Sequence, residues 1–369
     1  MEAPFGGLIC TDQEAMERQK GVLVDVVKQL AYTLLKGLTI AHISLPIKIF
    51  EPRSSIQRIV DIWSFAPKFL REAAATKDHL ERFKAVIAFS LSSLYICTSQ
   101  YKPFNPILGE TLQGTFSDGT QVFCEHTSHH PPVTNFHMQP EDGSYDFWGF
   151  YEFTGSMSAN SLRSGLRGPN NIRFQDGQHI RFKSVDFKLG GTVMGDRTIE
   201  ATGHIVFEDL TNNRKAVIIF STYKKTGFWT KKESGRKDEF TGLIYQCEPI
   251  INPAATSKLL YGKNATDITD LKQIKDIVRP ICEIQGSWLQ SLRIDGRKYW
   301  DIDADTPFRQ IPAMGSSVLP SDWRYREDLI WLKYNYMKIA QKWKFRMEQQ
   351  QRHDRHLRLK RQEERAKGY

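Results

Sequence analysis

The sequence predicts an α+β fold, mainly β, in which one β-rich domain carries helices at both ends. From Thr111 to Tyr245, short segments alternate apolar and polar residues between turn sequences such as Asp118-Gly119 and Asp176-Gly177. Upstream of this segment, apolar residues recur at helical spacing. After Pro253 the pattern becomes mixed and helical, and it ends in a long charged helix. No fixed-period repeat divides the chain, so a single domain is expected.

The composition is that of a folded protein without a membrane span. Hydrophobic residues make up 40% of the 369 residues and aromatic residues 12%, which is enough for a sizeable core. The mean hydropathy of −0.45 and the lack of a long apolar run argue against a transmembrane helix. The first ten residues lack the basic and apolar regions of a secretory signal. We therefore expect a cytoplasmic protein.

Charge and cysteine content narrow the functional classes. The net charge of +9 favours an anionic surface, either a nucleic acid or the cytoplasmic face of a membrane. Much of the excess lies in Arg352–Arg361, which a solvated helix face also explains. Five cysteines at wide, irregular spacing predict buried free thiols rather than disulfides or a zinc site.

Two amphipathic helices are predicted near the start of the chain. After a weakly patterned arm at residues 1–20, apolar residues at helical spacing predict a helix over Gly21–Leu38. A second helix is predicted over Arg53–Phe65, with Ser54-Ser55 as its candidate cap and Pro67 as its stop.

Two further helices are predicted, one on each side of the β-rich segment. Asp78–Cys97 is apolar enough to form a buried helix. A long charged helix is predicted from about residue 326 to 365, with one break near Tyr334-Asn335.

One predicted strand carries large apolar groups on both of its faces. Within Tyr145–Phe153, alternate residues point to opposite sides of the sheet. Aromatic side chains occupy both sides, namely Tyr145, Phe147, Tyr151 and Phe153 on one and Trp148 and Phe150 on the other. A barrel wall with helices outside and an apolar cavity inside needs this pattern.

The segment Glu125–Pro132 contains two adjacent histidines followed by two prolines. A zinc site is one interpretation, because His126 and His129 have i, i+3 spacing. The prolines count against it, since Pro131 pushes His130 out of the helical region and the histidines cannot share a helical face. A purely structural role is a second interpretation. A third is that an extended, rigid His-His pair presents two imidazoles to phosphate oxygens, with charge rising as they protonate.

Two other segments contain cations that could join such a site. Lys102–Thr111 is a turn-forming run in which prolines and a glycine fix the backbone around Lys102 and Asn105. An ordinary loop into the first strand explains it equally well. Lys344, Glu348 and Arg352 recur along one helix stripe, where Glu348 can hold both cations in position. An ordinary surface salt-bridge ladder is the alternative interpretation of this stripe. The chain lacks a Ser nucleophile elbow, a P-loop and a dinucleotide fingerprint, so no enzyme activity is expected.

Together these segments resemble the ligand domain of the oxysterol-binding-protein-related family. The family's Glu-x-x-Ser-His-His-Pro-Pro signature and its Lys-Pro-x-Asn-Pro-x-x-Gly-Glu run are present in the same order, and the resemblance covers residues from about 20 to 357. Departures are His126 and Thr127 inside the signature and Trp323 after Asp322. The matching segments are Leu45-Pro46, Glu51–Ser54, Lys102–Glu110, Glu125–Pro132, Pro320–Arg326 and the Lys344, Glu348, Arg352 stripe.

The resemblance implies a large incomplete antiparallel β-barrel that encloses a lipid tunnel. We expect one ligand domain over residues 1–369, with a lid at about 1–20, a helical region at 21–100, a barrel core at 101–250 and a C-terminal region at 251–369. No further recognisable domain precedes it, so a stand-alone family member is expected.

The resemblance also implies the ligand and the residues that bind it. The expected ligands are phosphatidylinositol 4-phosphate and a second lipid, which are exchanged between membranes without any bond being made or broken. We expect peripheral contact with anionic membranes, a monomer, and no cofactor or metal. The expected ligand-binding residues are Lys102, Asn105, His129, His130, Lys344, Glu348 and Arg352.

Three other functions can be weighed against the sequence. The chain could act as a lipid sensor or scaffold without net transport. A basic nucleic-acid-binding protein would fit the charge, but no nucleic-acid motif is present. A lipid-modifying enzyme would need catalytic residues that the sequence does not contain.

The second lipid is expected to be phosphatidylserine, with sterol as the alternative. Leu45-Pro46 and Glu51–Ser54 resemble the phospholipid-carrying branch of the family. Lys48 and Phe50 occupy positions that are usually apolar or aliphatic there. A bulky Phe50 could narrow the space for a second acyl chain, and Lys48 could point outward or meet an anionic headgroup.

Overall fold

The computed structural model describes residues 1–22, 25, 44–158, 160–226, 232–252, 267–315 and 318–367. The helix predicted over Gly21–Leu38 falls almost entirely outside these ranges. The described helices are α1 (Gln13–Gln19), α2 (Ser55–Asp61), α3 (Ala66–Ala75), α4 (His79–Ser92), α5 (Glu327–Lys333) and α6 (Met337–Ala366). Short 3-10 turns lie at Ile47–Ile49, Leu94–Cys97, Leu271–Gln273 and Trp323–Tyr325.

The helix starts follow local capping chemistry, with one correction. Asp78 caps α4 by accepting a bond of 2.8 Å from the backbone N–H of Leu80. Ser54 is the N-cap of α2, and its N–H donates to the side chain of Gln57 at 2.9 Å. Pro67 was expected to stop this helix, but it lies in the first turn of α3 instead. Proline is tolerated there because the first helical N–H groups have no intrahelical partner.

The described strands account for most of the chain between the two helical regions. They are β1 (Leu8–Ile9), β2 (Phe50–Ser54), β3 (Lys102–Phe104), β4 (Thr111–Phe116), β5 (Gln121–His129), β6 (Pro132–Gln139), β7 (Tyr145–Ser158), β8 (Ser161–Arg167), β9 (Asn170–Phe174), β10 (His179–Phe182), β11 (Asp186–Gly190), β12 (Thr198–Thr202), β13 (His204–Asp209), β14 (Arg214–Phe220), β15 (Lys224–Thr226), β16 (Lys232–Ser234), β17 (Glu239–Cys247), β18 (Ile277–Ser287), β19 (Ser291–Ile294), β20 (Arg297–Asp301) and β21 (Gln310–Pro312).

Seventeen of these strands form one antiparallel sheet. From β21 the pairs run through β4, β5 and β6 to β7, whose first half pairs with β9 and whose second half pairs with β8. From β9 they continue through β10, β13, β14, β17, β18 and β19 to β20, while β8 leads to β11, β12 and β1. The predicted class, a large antiparallel sheet with flanking helices, is confirmed.

The region after Pro253 departs from the prediction. We expected mixed and helical structure there, but β18, β19 and β20 extend the sheet well beyond residue 250. Pro280 lies inside β18, opposite Tyr245, where the register shifts. Proline interrupts the ladder and is found in strands at such irregularities, so it weakens the strand pattern in the sequence. The break at Tyr334-Asn335 is confirmed, because Asn335 has a positive φ of 62° between α5 and α6.

Three apolar clusters are present among the described residues, and two of them pack against the α-helices. The larger one joins α2, α3 and α4 to the sheet, with the Trp63 ring 4.6 Å from Phe136 and the Phe89 ring 5.5 Å from Phe147. The smaller one lies under α5 and α6 and contains Ile47, Phe50, Phe104, Leu329, Leu332 and Ala340. We call it the mouth cluster. Phe50 therefore packs here and not in the larger core, and the side chain of Lys48 is exposed.

The five cysteines are free, and four of them are buried. Burial raises the pKa of the Cys124 thiol, which keeps it protonated. Among the described residues, no helix has both the length and the apolar character needed to cross a membrane.

Candidate functional site

The predicted ligand residues meet above the mouth cluster, where β3, the end of β5 and α6 converge. A small cavity at this point is lined by Asn105, His129, Lys344 and Glu348, together with Phe50, Phe104, Arg326, Asp328, Met347 and Gln351. The other three predicted residues join through contacts with these, as described below. All seven are thus brought together from segments up to 250 residues apart in the chain. We call this region the mouth.

Two lysines share the ring of Phe50. The ammonium groups of Lys102 and Lys344 each lie 5.1 Å from the centre of that ring. Lys102 also donates to Asn105 Oδ1 at 2.5 Å and to the carbonyl of Pro103 at 3.2 Å. Burial lowers the pKa of Lys102 to about 8, and the nearby charge of Lys344 contributes. The two ammonium groups therefore repel each other at the mouth, and a bound anion would offset this repulsion.

The charged stripe of α6 has the geometry expected from its i, i+4 spacing. The ammonium group of Lys344 donates to Glu348 and, at 3.0 Å, to the hydroxyl of Ser44. The Arg352 guanidinium lies 3.7 Å from the other Glu348 oxygen. Glu348 thus contacts both cations. Because Lys344 is almost completely buried, this is not an ordinary surface ladder.

The two histidines lie where β5 turns into β6. His129 is half-buried and His130 is exposed, with ring centres 5.0 Å apart. Burial lowers the pKa of His129 to about 4 and also lowers the pKa of His130. Both rings are therefore neutral at pH 7, and the sequence did not predict this.

Arg326 is a buried residue of the mouth for which sequence reasoning assigned no role. Its guanidinium donates to Glu110 Oε2 at 2.7 Å, to the carbonyl of Asn105 at 2.9 Å and to Asp328 at 2.8 Å. Burial opposes its charge, but Glu110 and Asp328 raise its pKa further. It ties the Lys102–Glu110 run to the start of α5. The position of Arg326 at the end of the Pro320–Arg326 motif was the sequence feature that could have identified it.

The exposed half of α6 adds positive charge near the histidines. Arg355 and Arg358 both contribute to the lowered pKa of His129, and Arg355 does so for His130. These arginines belong to the basic run that the sequence also explained as a solvated helix face. Their side chains are exposed, so both descriptions hold for the same residues.

The geometry of the histidines does not resemble a zinc site. His126 Nε2 lies 3.2 Å from His129 Nδ1, and His126 Nδ1 lies 3.0 Å from the hydroxyl of Thr134. Both nitrogens of His126 are thus engaged by protein groups. Within the part of the chain that the structure describes, no group of three or more potential metal ligands is found.

Residues 31–369 match the family model described as oxysterol-binding protein. The chain belongs to this family. Oxysterol-binding protein 9 of Dictyostelium discoideum is 33% identical over 350 residues, which cover 94% of this chain and 78% of that protein. Oxysterol-binding protein 11 of the same organism is 26% identical over 81% of this chain and 51% of its own length. Human oxysterol-binding protein-related protein 5 is 30% identical over 52% of this chain and 23% of its own length.

Solved structures show the same fold. The Osh3 ORD of Saccharomyces cerevisiae, crystallised in complex with PI(4)P, has a TM-score of 0.64 and 21% identity, and covers 89% of this chain and 83% of its own. The Osh1 ORD domain in complex with ergosterol has a TM-score of 0.64 and 18% identity, and covers 95% and 90%. The family resemblance predicted from the sequence is confirmed.

The N-terminal arm, residues 1–20, connects the sheet to the mouth. Leu8–Ile9 pairs with β12, and the N–H of Gly7 donates to the buried Asp238 at 3.3 Å. At the other end of the arm, Arg18 donates to the carbonyl of Phe50 at 3.2 Å. The arm therefore contacts both the sheet and Phe50, whose ring lies beside the ammonium groups of Lys102 and Lys344.

Proposed function

We propose that this chain extracts phosphatidylinositol 4-phosphate from membranes and exchanges it for a second lipid. The observation that carries the proposal is the mouth itself, where cations from β3 and α6 and two neutral histidines at the end of β5 meet beside an apolar cluster. The 4-phosphate contacts Lys102, His129, His130, Lys344 and Arg352, with Asn105 nearby and Glu348 positioning two of the cations. Family membership and the PI(4)P complex of the Osh3 domain support this assignment.

The energetics suit selection by the headgroup. Hydrogen bonds to a charged group contribute roughly 1.5–3 kcal/mol each, so several of them discriminate strongly against a lipid without the phosphate. Acyl chains in an apolar tunnel add about 0.8 kcal/mol per buried methylene, whichever lipid carries them. The mouth therefore selects the lipid by its headgroup, and the tunnel adds affinity through the acyl chains.

The net charge and the exposed basic end of α6 support contact with anionic membranes. Positive residues near an anionic leaflet are attracted to it over about a Debye length, roughly 8 Å at physiological salt. The mouth would then approach the surface from which the headgroup is extracted.

The proposal is tested by the lipids that the protein carries. Purified protein is mixed with vesicles containing phosphatidylinositol 4-phosphate, separated from them, and analysed by mass spectrometry. The same assay with neutral and with phosphatidylserine-containing vesicles measures the contribution of membrane charge. Recovery of no phosphatidylinositol 4-phosphate from either vesicle would refute the proposed function.

We propose phosphatidylserine as the second lipid. The structure of the Osh1 domain with ergosterol makes sterol the competing candidate. Competition for protein loaded with phosphatidylinositol 4-phosphate separates them, because two lipids that share one tunnel displace each other. Displacement by phosphatidylserine and not by cholesterol or ergosterol is the expected result. Displacement by sterol alone would replace phosphatidylserine in this proposal and leave the phosphate site intact.

We predict that the N-terminal arm retains bound lipid. Deleting residues 1–20 should leave a folded protein that releases labelled phosphatidylinositol 4-phosphate faster than the full chain, because the contacts to β12 and Phe50 are lost. The dissociation rate, measured by transfer of the label to excess acceptor vesicles, checks this. Unchanged extraction and retention would mean that the arm has no lid function.

A point substitution tests whether displacing the arm, without deleting it, is enough to speed lipid release. Gly6 has a positive φ of 81°, and an added Cβ would lie 1.9 Å from Asp238 Oδ1. Gly6→Ala should therefore displace the arm and reproduce the faster release. Gly21→Ala is the matched control, since Gly21 also has a positive φ, of 76°, but its added Cβ would meet no atom of the described residues within 4 Å.

We also predict that lipid binding weakens as the pH rises from 7 to 9. Lys102 has a pKa of about 8, so its ammonium group is present at pH 7 and mostly lost at pH 9. Since the phosphate binds the protonated lysine, affinity should fall by up to about tenfold per pH unit above 8. Calorimetry with dioctanoyl phosphatidylinositol 4-phosphate at pH 7, 8 and 9 measures the profile. Lys102→Gln should bind more weakly with a flatter profile, and equal slopes would exclude Lys102 as the titrating group.

A further inference from the structure

We propose that Thr134 and His126 form a hydrogen-bond relay that fixes the tautomer of His129, so that a neutral His129 presents an N–H to an anion at the mouth. His126 and Thr134 are positioning residues in this arrangement, because they act on the ligand only through His129. The last step, donation to a lipid phosphate, rests on the proposed function. The tautomer itself is a property of the protein alone.

The three side chains form a continuous hydrogen-bonded line from the buried interior to the mouth. Thr134 on β6 and His126 on β5 are completely buried, and their strands are paired with His126 opposite Thr134. The Thr134 hydroxyl lies 3.0 Å from His126 Nδ1, and His126 Nε2 lies 3.2 Å from His129 Nδ1. Only the last ring of the line reaches the cavity of the mouth.

A neutral imidazole has one N–H and one lone pair, so the line can be ordered in two directions. In the first, Thr134 donates to His126 Nδ1, His126 Nε2–H donates to His129 Nδ1, and His129 Nε2 carries the outward N–H. In the second, His129 Nδ1–H donates to His126, whose Nδ1–H donates to Thr134. His129 Nε2 is then a bare lone pair, which repels a phosphate oxygen.

The first direction satisfies more of the buried groups. It gives the Thr134 hydroxyl proton an acceptor, namely His126 Nδ1. The second direction leaves that proton without an acceptor, because the hydroxyl of Thr134 has no other hydrogen-bond partner among the described residues. A buried hydroxyl without a partner is unfavourable, so the protein itself favours the outward N–H on His129.

The surroundings keep both rings neutral, which the relay requires. Burial lowers the pKa of His126 and of His129 to about 4 each. The leading nearby groups that lower these two pKa values further come from three elements: His130 at the β5–β6 turn, Arg326 before α5, and Arg355 and Arg358 on α6. His129 therefore binds an anion as a neutral donor at pH 7, without first taking up a proton.

The tautomer can be read directly in the wild-type protein. Histidine labelled with ¹⁵N gives distinct ring-nitrogen shifts for the Nδ1–H tautomer, the Nε2–H tautomer and imidazolium, and His129→Gln identifies the signals of His129. At pH 7 we expect His129 in the Nε2–H form. Either the Nδ1–H form or imidazolium in the free protein would overturn the relay.

Substitutions in the relay test its effect on binding of dioctanoyl phosphatidylinositol 4-phosphate. His126→Leu removes the donor to His129, which can then adopt either tautomer, so binding should weaken by about twofold to fivefold, less than the loss of a hydrogen bond to the phosphate itself. His126→Gln keeps one donor and one acceptor on the same side chain and should restore the wild-type affinity. Thr134→Val should raise the Nδ1–H population of His129 and weaken binding. Equal affinities for His126→Leu and the wild type would refute the proposal.

Two controls separate this proposal from loss of folding and from failure of the proposed function. His137, on the same strand as Thr134, bonds to Asp146 at 3.2 Å, and His137→Gln should not change affinity. If the wild type binds no phosphatidylinositol 4-phosphate, the proposed function fails, while the nitrogen shifts still decide the tautomer. If the wild type binds phosphatidylinositol 4-phosphate but His129 is not in the Nε2–H form, only the relay is refuted.

Discussion

Alanine at both His129 and His130 should reduce extraction of phosphatidylinositol 4-phosphate by about a hundredfold or more. Two donors to the phosphate are lost, and hydrogen bonds to charged groups are each worth roughly 1.5–3 kcal/mol, or about tenfold to a hundredfold in affinity. Folding should survive, because His130 is exposed and His129 is only half-buried. The extraction assay with vesicles and mass spectrometry measures the effect.

Thermal unfolding of the double variant provides the control for structure. Because His126 loses a hydrogen-bond partner when His129 becomes alanine, a small decrease in Tm is expected. His137→Ala is a matched substitution of another strand histidine and should extract as well as the wild type. A double variant that is folded and extracts at the wild-type level would remove these histidines from the phosphate site.

The fold could be predicted where the chain follows local rules. The alternation in β7 and the turns around it depend only on nearby residues, and so does the break at Asn335. The strands after residue 253 could not be predicted in this way, because β18 contains Pro280 at a register shift. Its place in the sheet is determined by pairing with β17, which the local pattern does not show.

At the mouth, too, contacts within one element could be predicted from the sequence, whereas contacts between elements could not. The contacts of Glu348 with Lys344 and Arg352 follow from helix periodicity, so the sequence was sufficient to predict them. The roles of Arg326 and His126 depend on partners from other elements, namely Glu110 for the first and Thr134 for the second. The neutral state of the histidines results from burial, and burial depends on tertiary packing.

Reversing the charge of Lys102 should cost far more than removing it. Lys102→Ala loses one charge-assisted bond, which corresponds to about tenfold to a hundredfold weaker binding. Lys102→Glu adds repulsion between a carboxylate and the phosphate, and it places a second carboxylate near Glu348, which already acts on Lys102 through its charge. We expect Lys102→Glu to abolish measurable extraction, and Lys344 and Arg352 to respond in the same order.

Equal losses for Lys102→Ala and Lys102→Glu would mean that the lysine has a structural role and does not contact the phosphate. Glu348→Ala distinguishes a direct from an indirect effect of charge. It removes a negative group from the mouth, which by simple electrostatics would strengthen anion binding. Because Glu348 contacts both Lys344 and Arg352, its loss should instead weaken binding by freeing both side chains. The measurement is the affinity of Lys102→Ala, Lys102→Glu and Glu348→Ala for dioctanoyl phosphatidylinositol 4-phosphate at low and at physiological salt. It distinguishes the two effects, since a charge effect is screened by salt and a positioning effect is not.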